Sequence, residues 1–160
     1  MRNKKKIFGI GLPRTGSTSL AEALRMLGYK GSNFCSLNNI HTVDKTEEKK
    51  SFQIDNSFFK IYQNLFEQNS NAKFILTIRD NSSWRKSMSG FEYDNNILPN
   101  INKYKDEVKK FFRSKNAEDQ LLIINLTELN DKDKWNMICD FLNEENVPNL
   151  TFPHISIKVK

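Results

Sequence analysis

Short apolar runs, rich in β-branched and aromatic residues, alternate along this chain with longer segments whose apolar residues recur every three or four positions. The first pattern predicts buried strands and the second predicts amphipathic helices. Strands that alternate with helices are typical of a parallel sheet covered by helices. The sequence therefore predicts an α/β fold. No repeat, linker or low-complexity block divides residues 1–160, so we expect a single domain.

Four runs are predicted as strands, and their bounds are 6–11, 51–55, 73–78 and 121–126. Helices are predicted over 16–27, 57–68, 103–114 and 131–143, with a further helix capped by Ser82 or Ser83 that runs to about Ser89. Residues 91–100 read as a loop and the tail from 147 as extended chain, whereas 38–50 fits either a helix or a loop.

A glycine-bracketed loop follows the first predicted strand and precedes the first predicted helix. Gly11 and Gly16 have the spacing of a P-loop, but Ser17 stands where a nucleoside triphosphatase needs lysine. The loop instead carries its cation at Arg14. A strand, a turn and a helix N-terminus in this order form an anion site, because backbone N–H groups and the helix dipole point at it. The loop thus predicts a three-layer, P-loop NTPase-like fold that holds a phosphate-like group.

A second site of charge follows the strand predicted over 73–78. Arg79 lies at the carboxyl end of that strand, where open α/β sheets bind their ligands. Ser87 comes eight residues later, on the next predicted helix. An arginine offers a forked, charged contact and a serine a directional hydroxyl, so the pair is suited to a phosphate.

These residues together resemble the P-loop sulfotransferases. The run Arg14-Thr15-Gly16-Ser17-Thr18 resembles their loop for the 5′-phosphosulfate, and Arg79 with Ser87 resembles their pair for the 3′-phosphate. The C-terminal series is similar as well, and it comprises the strand over 121–126, Thr127-Glu128, Trp135 and Phe152-Pro153-His154.

The resemblance implies an enzyme that moves a sulfuryl group from 3′-phosphoadenosine-5′-phosphosulfate to an acceptor hydroxyl or amine and leaves adenosine 3′,5′-bisphosphate. Transfer would be in line, with Arg14 stabilising the charge that develops on the leaving phosphate. No metal is expected, because a sulfuryl group carries less charge than a phosphoryl group. We expect Arg14 and Arg79 to form two separate cationic pockets, a nucleotide's length apart on one rim of the sheet.

The base that takes the acceptor's proton is open between two residues. Asp55 ends a predicted strand, 24 residues ahead of Arg79, at a place similar to that of the family's histidine base. Its carboxylate can act as a base, and it can equally cap the helix predicted from Ser57. His41 is the second choice because imidazole titrates near neutral pH. His154 is expected to be structural.

The chain departs from the family around the adenine. Ser19 and Leu20 occupy the place of the aromatic that stacks on adenine in many relatives, and Leu126 stands where they often carry tyrosine. We therefore expect either that the tail, with Lys158 and Lys160, holds the adenine or that the adenine is held less tightly. The short chain leaves an acceptor site that is either open, suiting a glycan, lipid headgroup or small molecule, or completed by a second copy in a homodimer.

Charge and composition leave two other classes open. The net charge of +6 implies anionic ligands. A nucleotide kinase would need Asp80 as its Mg²⁺ ligand, and a non-catalytic polyanion binder would use the surface lysines. Those lysines form no nucleic-acid motif, so nucleic acid is not expected. Cys35 and Cys139 lack metal-type spacing and no apolar run reaches the roughly 20 residues of a membrane span, which together favour a cytoplasmic protein.

Overall fold

A five-stranded sheet forms the centre of the protein in a computed structural model that describes residues 5–33, 49–89 and 98–155. Its strands are β1 (Lys5–Gly9), β2 (Lys30–Asn33), β3 (Lys50–Ile54), β4 (Lys73–Thr77) and β5 (Leu121–Ile124). Their order is β2-β3-β1-β4-β5, and every neighbouring pair is parallel. The predicted parallel sheet is confirmed. All five carboxyl ends consequently meet at one edge.

Helices cover both faces of this sheet. They are α1 (Ser17–Met26), α2 (Tyr62–Gln68), α3 (Asn81–Met88), α4 (Ile101–Ser114) and α5 (Asp131–Leu142), with single 3-10 turns at Phe58–Lys60 and Glu118–Gln120. Side chains of a strand alternate between faces, so Ile7 packs in the core with α1 and α5, whereas Phe8 packs in the core with α2, α3 and α4. The three-layer arrangement expected from the sequence is confirmed.

The predicted cap of α3 is wrong by two or three residues. Asp80, not Ser82 or Ser83, is the N-cap, and its Oδ2 accepts a 2.9 Å hydrogen bond from the Ser83 backbone N–H. Aspartate and serine both serve as caps, and the first of them in the chain has taken the position. The helix therefore begins at Asn81, and only its N-cap separates it from Arg79.

Two further elements differ from the sequence pattern. Strand β2 was not predicted, because its residues Lys-Gly-Ser-Asn contain no hydrophobic side chain, and it lies at the edge of the sheet. The segment predicted as one helix over 57–68 is a 3-10 turn followed by α2, and the two meet at Ile61, whose φ of −132° is not helical. The apolar spacing continues across this break, which explains the prediction.

An ion cluster joins the amino ends of the strands to the end of α5. Glu144 Oε1 accepts hydrogen bonds from Lys5 Nζ (3.3 Å) and Tyr29 Oη (2.8 Å), and it lies 2.9 Å from Lys50 Nζ. Burial alone would raise the pKa of the Glu144 carboxyl, but these three partners outweigh it and lower the pKa. This cluster lies at the edge of the sheet opposite the glycine-bracketed loop.

Candidate functional site

The glycine-bracketed loop is packed tightly against the end of β4. A Cβ on Gly11 would lie 2.1 Å from Thr77 Oγ1 and 2.9 Å from Thr15 Oγ1, so glycine is required by close approach. Thr15 is fully buried, and its hydroxyl lies 2.7 Å from the Leu12 carbonyl oxygen and 2.6 Å from Thr77 Oγ1. The hydroxyl of Thr15 thus holds the loop in place from within.

The far end of the loop opens the N-terminus of α1 toward solvent. Gly16, the N-cap, has a φ of 98° and no side chain that could bond the first backbone N–H groups of the helix. Helix ends without such a cap bind anions readily. Arg14 also has a positive φ, 65°, which is unfavourable for a residue with a Cβ and is typical of functional sites.

Three side-chain hydrogen bonds connect the loop to α3 and to Arg79, which precedes that helix. Arg14 Nε donates a 2.9 Å hydrogen bond to Ser87 Oγ, Arg79 Nη1 donates one of 3.2 Å to the Arg14 carbonyl oxygen, and Trp84 Nε1 donates one of 2.9 Å to the Pro13 carbonyl oxygen. Arg79 Nε also donates to Ser83 Oγ. The expectation of two separate cationic pockets is therefore wrong, because Arg79 touches the loop and both arginines line one cleft.

That cleft has a volume of about 560 Å³ and lies at the carboxyl edge of the sheet. Its walls contain Arg14, Gly16, Ser17 and Thr18 from the loop and α1, with Arg79 and Ser87 on the side of β4 and α3. Six of the residues predicted from the sequence to bind the sulfuryl donor thus lie around one space. Thr15, the seventh, is buried behind it.

The C-terminal tail forms another wall of the cleft. Pro153, His154 and Ile155 line it, and the Ile155 backbone N–H donates a 2.9 Å hydrogen bond to Ser19 Oγ. The small residue at position 19, found there in place of an aromatic, therefore anchors the tail. His154 is exposed at the cleft, although the sequence indicated a structural role. Lys158 and Lys160 lie outside the described residues.

Sequence reasoning also missed Lys134 of α5. This lysine lines the cleft although only 9% of its surface is exposed. Its ammonium lies 5.3 Å from the centre of the Phe152 ring and 3.7 Å from Asp131 Oδ1. It lies on a helix of mixed charge, where a lysine usually indicates only a solvated face.

The two residues proposed as base have different outcomes. Asp55 is 8% exposed, and its Oδ1 accepts hydrogen bonds from the Ser57 backbone N–H (2.8 Å) and the Ser57 hydroxyl (2.5 Å). This geometry is that of an Asx turn ahead of the 3-10 helix, whose N-cap is Ser57. The cleft wall at this strand end is formed by the next residue, Asn56. His41 lies outside the described residues.

A nucleotide kinase would need a carboxylate that holds Mg²⁺ beside the phosphate loop. The Asp80 carboxylate caps α3 and does not line the cleft. Within residues 5–33, 49–89 and 98–155, no group of three or more acidic, histidine or cysteine side chains could hold a metal. In the same part of the chain, no helix is long and apolar enough to cross a bilayer.

Comparisons with known proteins bear on the same region. A family model described as a sulfotransferase domain matches residues 6–52 and 38–98. The crystal structure of mouse sulfotransferase SULT7A1 complexed with PAP is similar with a TM-score of 0.61 at 16% identity, covering 90% of this chain. The chain spans only 61% of the length of that structure, and at this identity the likeness shows a common fold. No curated protein sequence matches the chain.

Proposed function

The chain belongs to the sulfotransferase family, and on that premise we propose that it transfers a sulfuryl group from 3′-phosphoadenosine-5′-phosphosulfate to a hydroxyl or amine. The observation that carries the proposal is the single cleft in which the uncapped end of α1, Arg14 and Arg79 come together. Its volume of about 560 Å³ suits a nucleotide-sized ligand.

The anionic groups of the donor would be divided between two walls. In this proposal the loop and the first N–H groups of α1 hold the 5′-phosphosulfate, with Gly16, Ser17 and Thr18 nearest to it and Thr15 supporting the loop. Arg79 and Ser87 hold the 3′-phosphate. Arg14 stabilises the charge that grows on the leaving phosphate, because a fixed cation next to that oxygen favours the transition state over the ground state.

The adenine would be held by the other half of the cleft. Leu126, Phe152 and Pro153 give this half apolar character, and Thr127 and Lys134 add polar groups. The tail therefore takes the place of the stacking aromatic that the chain lacks. We propose no metal in the transfer itself. A cytoplasmic location remains part of the proposal, and so does an acceptor site that is either open or completed by a second copy.

The acceptor's proton would pass to Asp55 or His41. Asp55 would need its Oδ2, since Oδ1 is held by Ser57. The acceptor itself is a glycan, a lipid headgroup or a small molecule that carries a hydroxyl or an amine.

Calorimetry with two nucleotides tests the proposal. Adenosine 3′,5′-bisphosphate should bind in buffer with a chelator, and ATP with Mg²⁺ should bind more weakly. Donor labelled with ³⁵S should then transfer its label to a component of a fractionated lysate, and Arg14→Ala should abolish this transfer. Tight binding of ATP that depends on Mg²⁺ would favour a kinase. Binding of RNA that survives Arg14→Ala and Arg79→Ala would favour a polyanion-binding protein.

A further inference from the structure

Asn56 occupies a wall of the cleft that the donor contacts described above leave unused. It follows β3, and β3 is the parallel neighbour of β1, with Ile54 paired to Gly9. Asn56 therefore emerges beside the start of the glycine-bracketed loop, on the side opposite β4 and Arg79. The 3′-phosphate is assigned to the Arg79 side, so the β3 side is left for the sulfuryl group and its acceptor.

The carboxamide of Asn56 has no hydrogen-bond partner among residues 5–33, 49–89 and 98–155. Its Oδ1 is buried and accepts no hydrogen bond, and the side chain makes none with any residue in the part of the chain that the structure describes. With Oδ1 turned inward, the amide nitrogen is the polar group that this side chain can offer to the cleft.

Asp55 fixes the backbone on either side of Asn56. Its Oδ1 accepts hydrogen bonds from the backbone N–H and the hydroxyl of Ser57, which makes a tight turn with Asn56 at its centre. The backbone that carries Asn56 is thus rigid. A rigidly placed N–H donor adjoining an anion loop can stabilise negative charge without reorganisation.

We propose that Asn56 Nδ2 donates a hydrogen bond to a non-bridging oxygen of the sulfuryl group during transfer. This inference rests on the proposed function and adds a residue that binds the sulfuryl group and not the nucleotide. An amide donor suits this group, since it binds anionic oxygens without adding a charge that would hold the sulfated product.

The affinities of two nucleotides that differ only in the sulfuryl group test the assignment without knowledge of the acceptor. The dissociation constants of 3′-phosphoadenosine-5′-phosphosulfate and adenosine 3′,5′-bisphosphate are measured by calorimetry for the wild type, Asn56→Ala, Asn56→Asp and Asn71→Ala. Asn71 is an exposed asparagine at the opposite edge of the sheet and is the matched control. Thermal unfolding of each variant shows whether the turn is intact.

In Asn56→Ala we expect the affinity for the phosphosulfate to fall about 3- to 10-fold and that for the bisphosphate to stay within about 2-fold of the wild type. Asn56→Asp keeps the shape but opposes the anion, so its phosphosulfate affinity should fall further. The rate of label transfer should fall about 10- to 100-fold in Asn56→Ala. Equal weakening of both nucleotides, or no change in either, would overturn the role of Asn56. A wild type that binds neither nucleotide would overturn the proposed function, and the role of Asn56 with it.

Discussion

Arg14 Nε donates its hydrogen bond to Ser87 Oγ across 2.9 Å, and this contact joins the glycine-bracketed loop to α3. The serine oxygen accepts from the arginine, so the serine proton stays available to donate to an anion. One hydroxyl thus links the residue assigned to the leaving phosphate with the residues assigned to the 3′-phosphate. We therefore expect the two arginines to act on the same ligand.

Replacing Arg79 should weaken nucleotide binding. In Arg79→Ala we expect the affinity for adenosine 3′,5′-bisphosphate to fall by about 1.5–3 kcal/mol, the value of a charged hydrogen-bonded contact. Calorimetry measures this, and Arg113→Ala serves as the control because Arg113 is an exposed arginine on α4. Unchanged affinity in Arg79→Ala would remove Arg79 from the site.

Replacing Arg14 should separate stability from turnover. The residue has a φ of 65°, where alanine is strained by about 1 kcal/mol and glycine is not. We therefore expect the free energy of unfolding to be higher for Arg14→Gly than for Arg14→Ala. The transfer rate should fall at least about 10²-fold in both variants. Urea unfolding and label transfer give the two quantities. A fully active Arg14→Gly variant would be incompatible with its role in the transition state.

The Asp55→Asn variant distinguishes a base from a cap. Asparagine keeps an oxygen that can accept both hydrogen bonds from Ser57, so the turn and the binding of bisphosphate should stay nearly normal. If Asp55 is the base, turnover falls about 10²-fold or more. Full turnover in Asp55→Asn, with a stability loss of about 1 kcal/mol in Asp55→Ala, would leave Asp55 a capping residue only.

Gly11→Ala should distort the loop. The added Cβ would meet Thr77 Oγ1 at 2.1 Å, and overpacking of this kind costs about 1–3 kcal/mol in the free energy of unfolding. Thr77→Ala removes the clashing hydroxyl. The double variant should accordingly lose less stability than the sum of the two single losses in urea unfolding. Additive losses would show that the hydroxyl is not what excludes a side chain at position 11.

The ion cluster of Glu144 should make stability depend on pH. Burial raises the pKa of this carboxyl, but hydrogen bonds from Lys50, Tyr29 and Lys5 outweigh it and lower the pKa below the ordinary 4.5. A depressed folded-state pKa gives stability that is present above pH 4.5 and is lost as the pH falls through the lower value. Glu144→Gln should lower the free energy of unfolding by about 1–2 kcal/mol at pH 7. The loss is kept this small because both lysines are partly exposed and water screens their charges.

The measurement for Glu144 is urea unfolding of the wild type and Glu144→Gln at a series of pH values from 7 downward. The difference in free energy between the two proteins should shrink as the pH falls below 4.5. A difference that is constant over this range would mean that the carboxylate charge does not stabilise the cluster.

The sequence predicts those parts of the fold in which local pattern and tertiary packing agree. The short apolar run of β4 favours a strand and the spaced apolar residues of α4 favour a helix, and both elements were found. Strand β2 has no apolar residue, because an edge strand can be stabilised by backbone hydrogen bonds to its neighbour alone. The pattern of apolar residues does not report such bonds, so it did not predict β2. The pattern also does not predict the break between the 3-10 turn and α2 at Ile61, because apolar side chains continue on both sides of it.

The site was predicted where side-chain type and position within a motif both carry information. Arg14 and Arg79 follow strands at the edge where ligands bind, and the structure brings both to the cleft. Asn56, Lys134 and His154 were missed because each is an ordinary residue in its local sequence. Only the packing of distant segments gives them a place in the cleft, and no short-range pattern encodes that packing.

The two tryptophans of the chain lie in the cores on opposite faces of the sheet, and each bonds a segment next to the cleft. The Trp84 indole bonds the Pro13 carbonyl at the arginine-bearing turn, and the Trp135 indole bonds the Leu150 carbonyl just before the tail wall. The protein consequently carries its own optical probes of occupancy. Intrinsic fluorescence of the variants Trp84→Phe and Trp135→Phe would show separately how each of these two segments changes when a ligand binds.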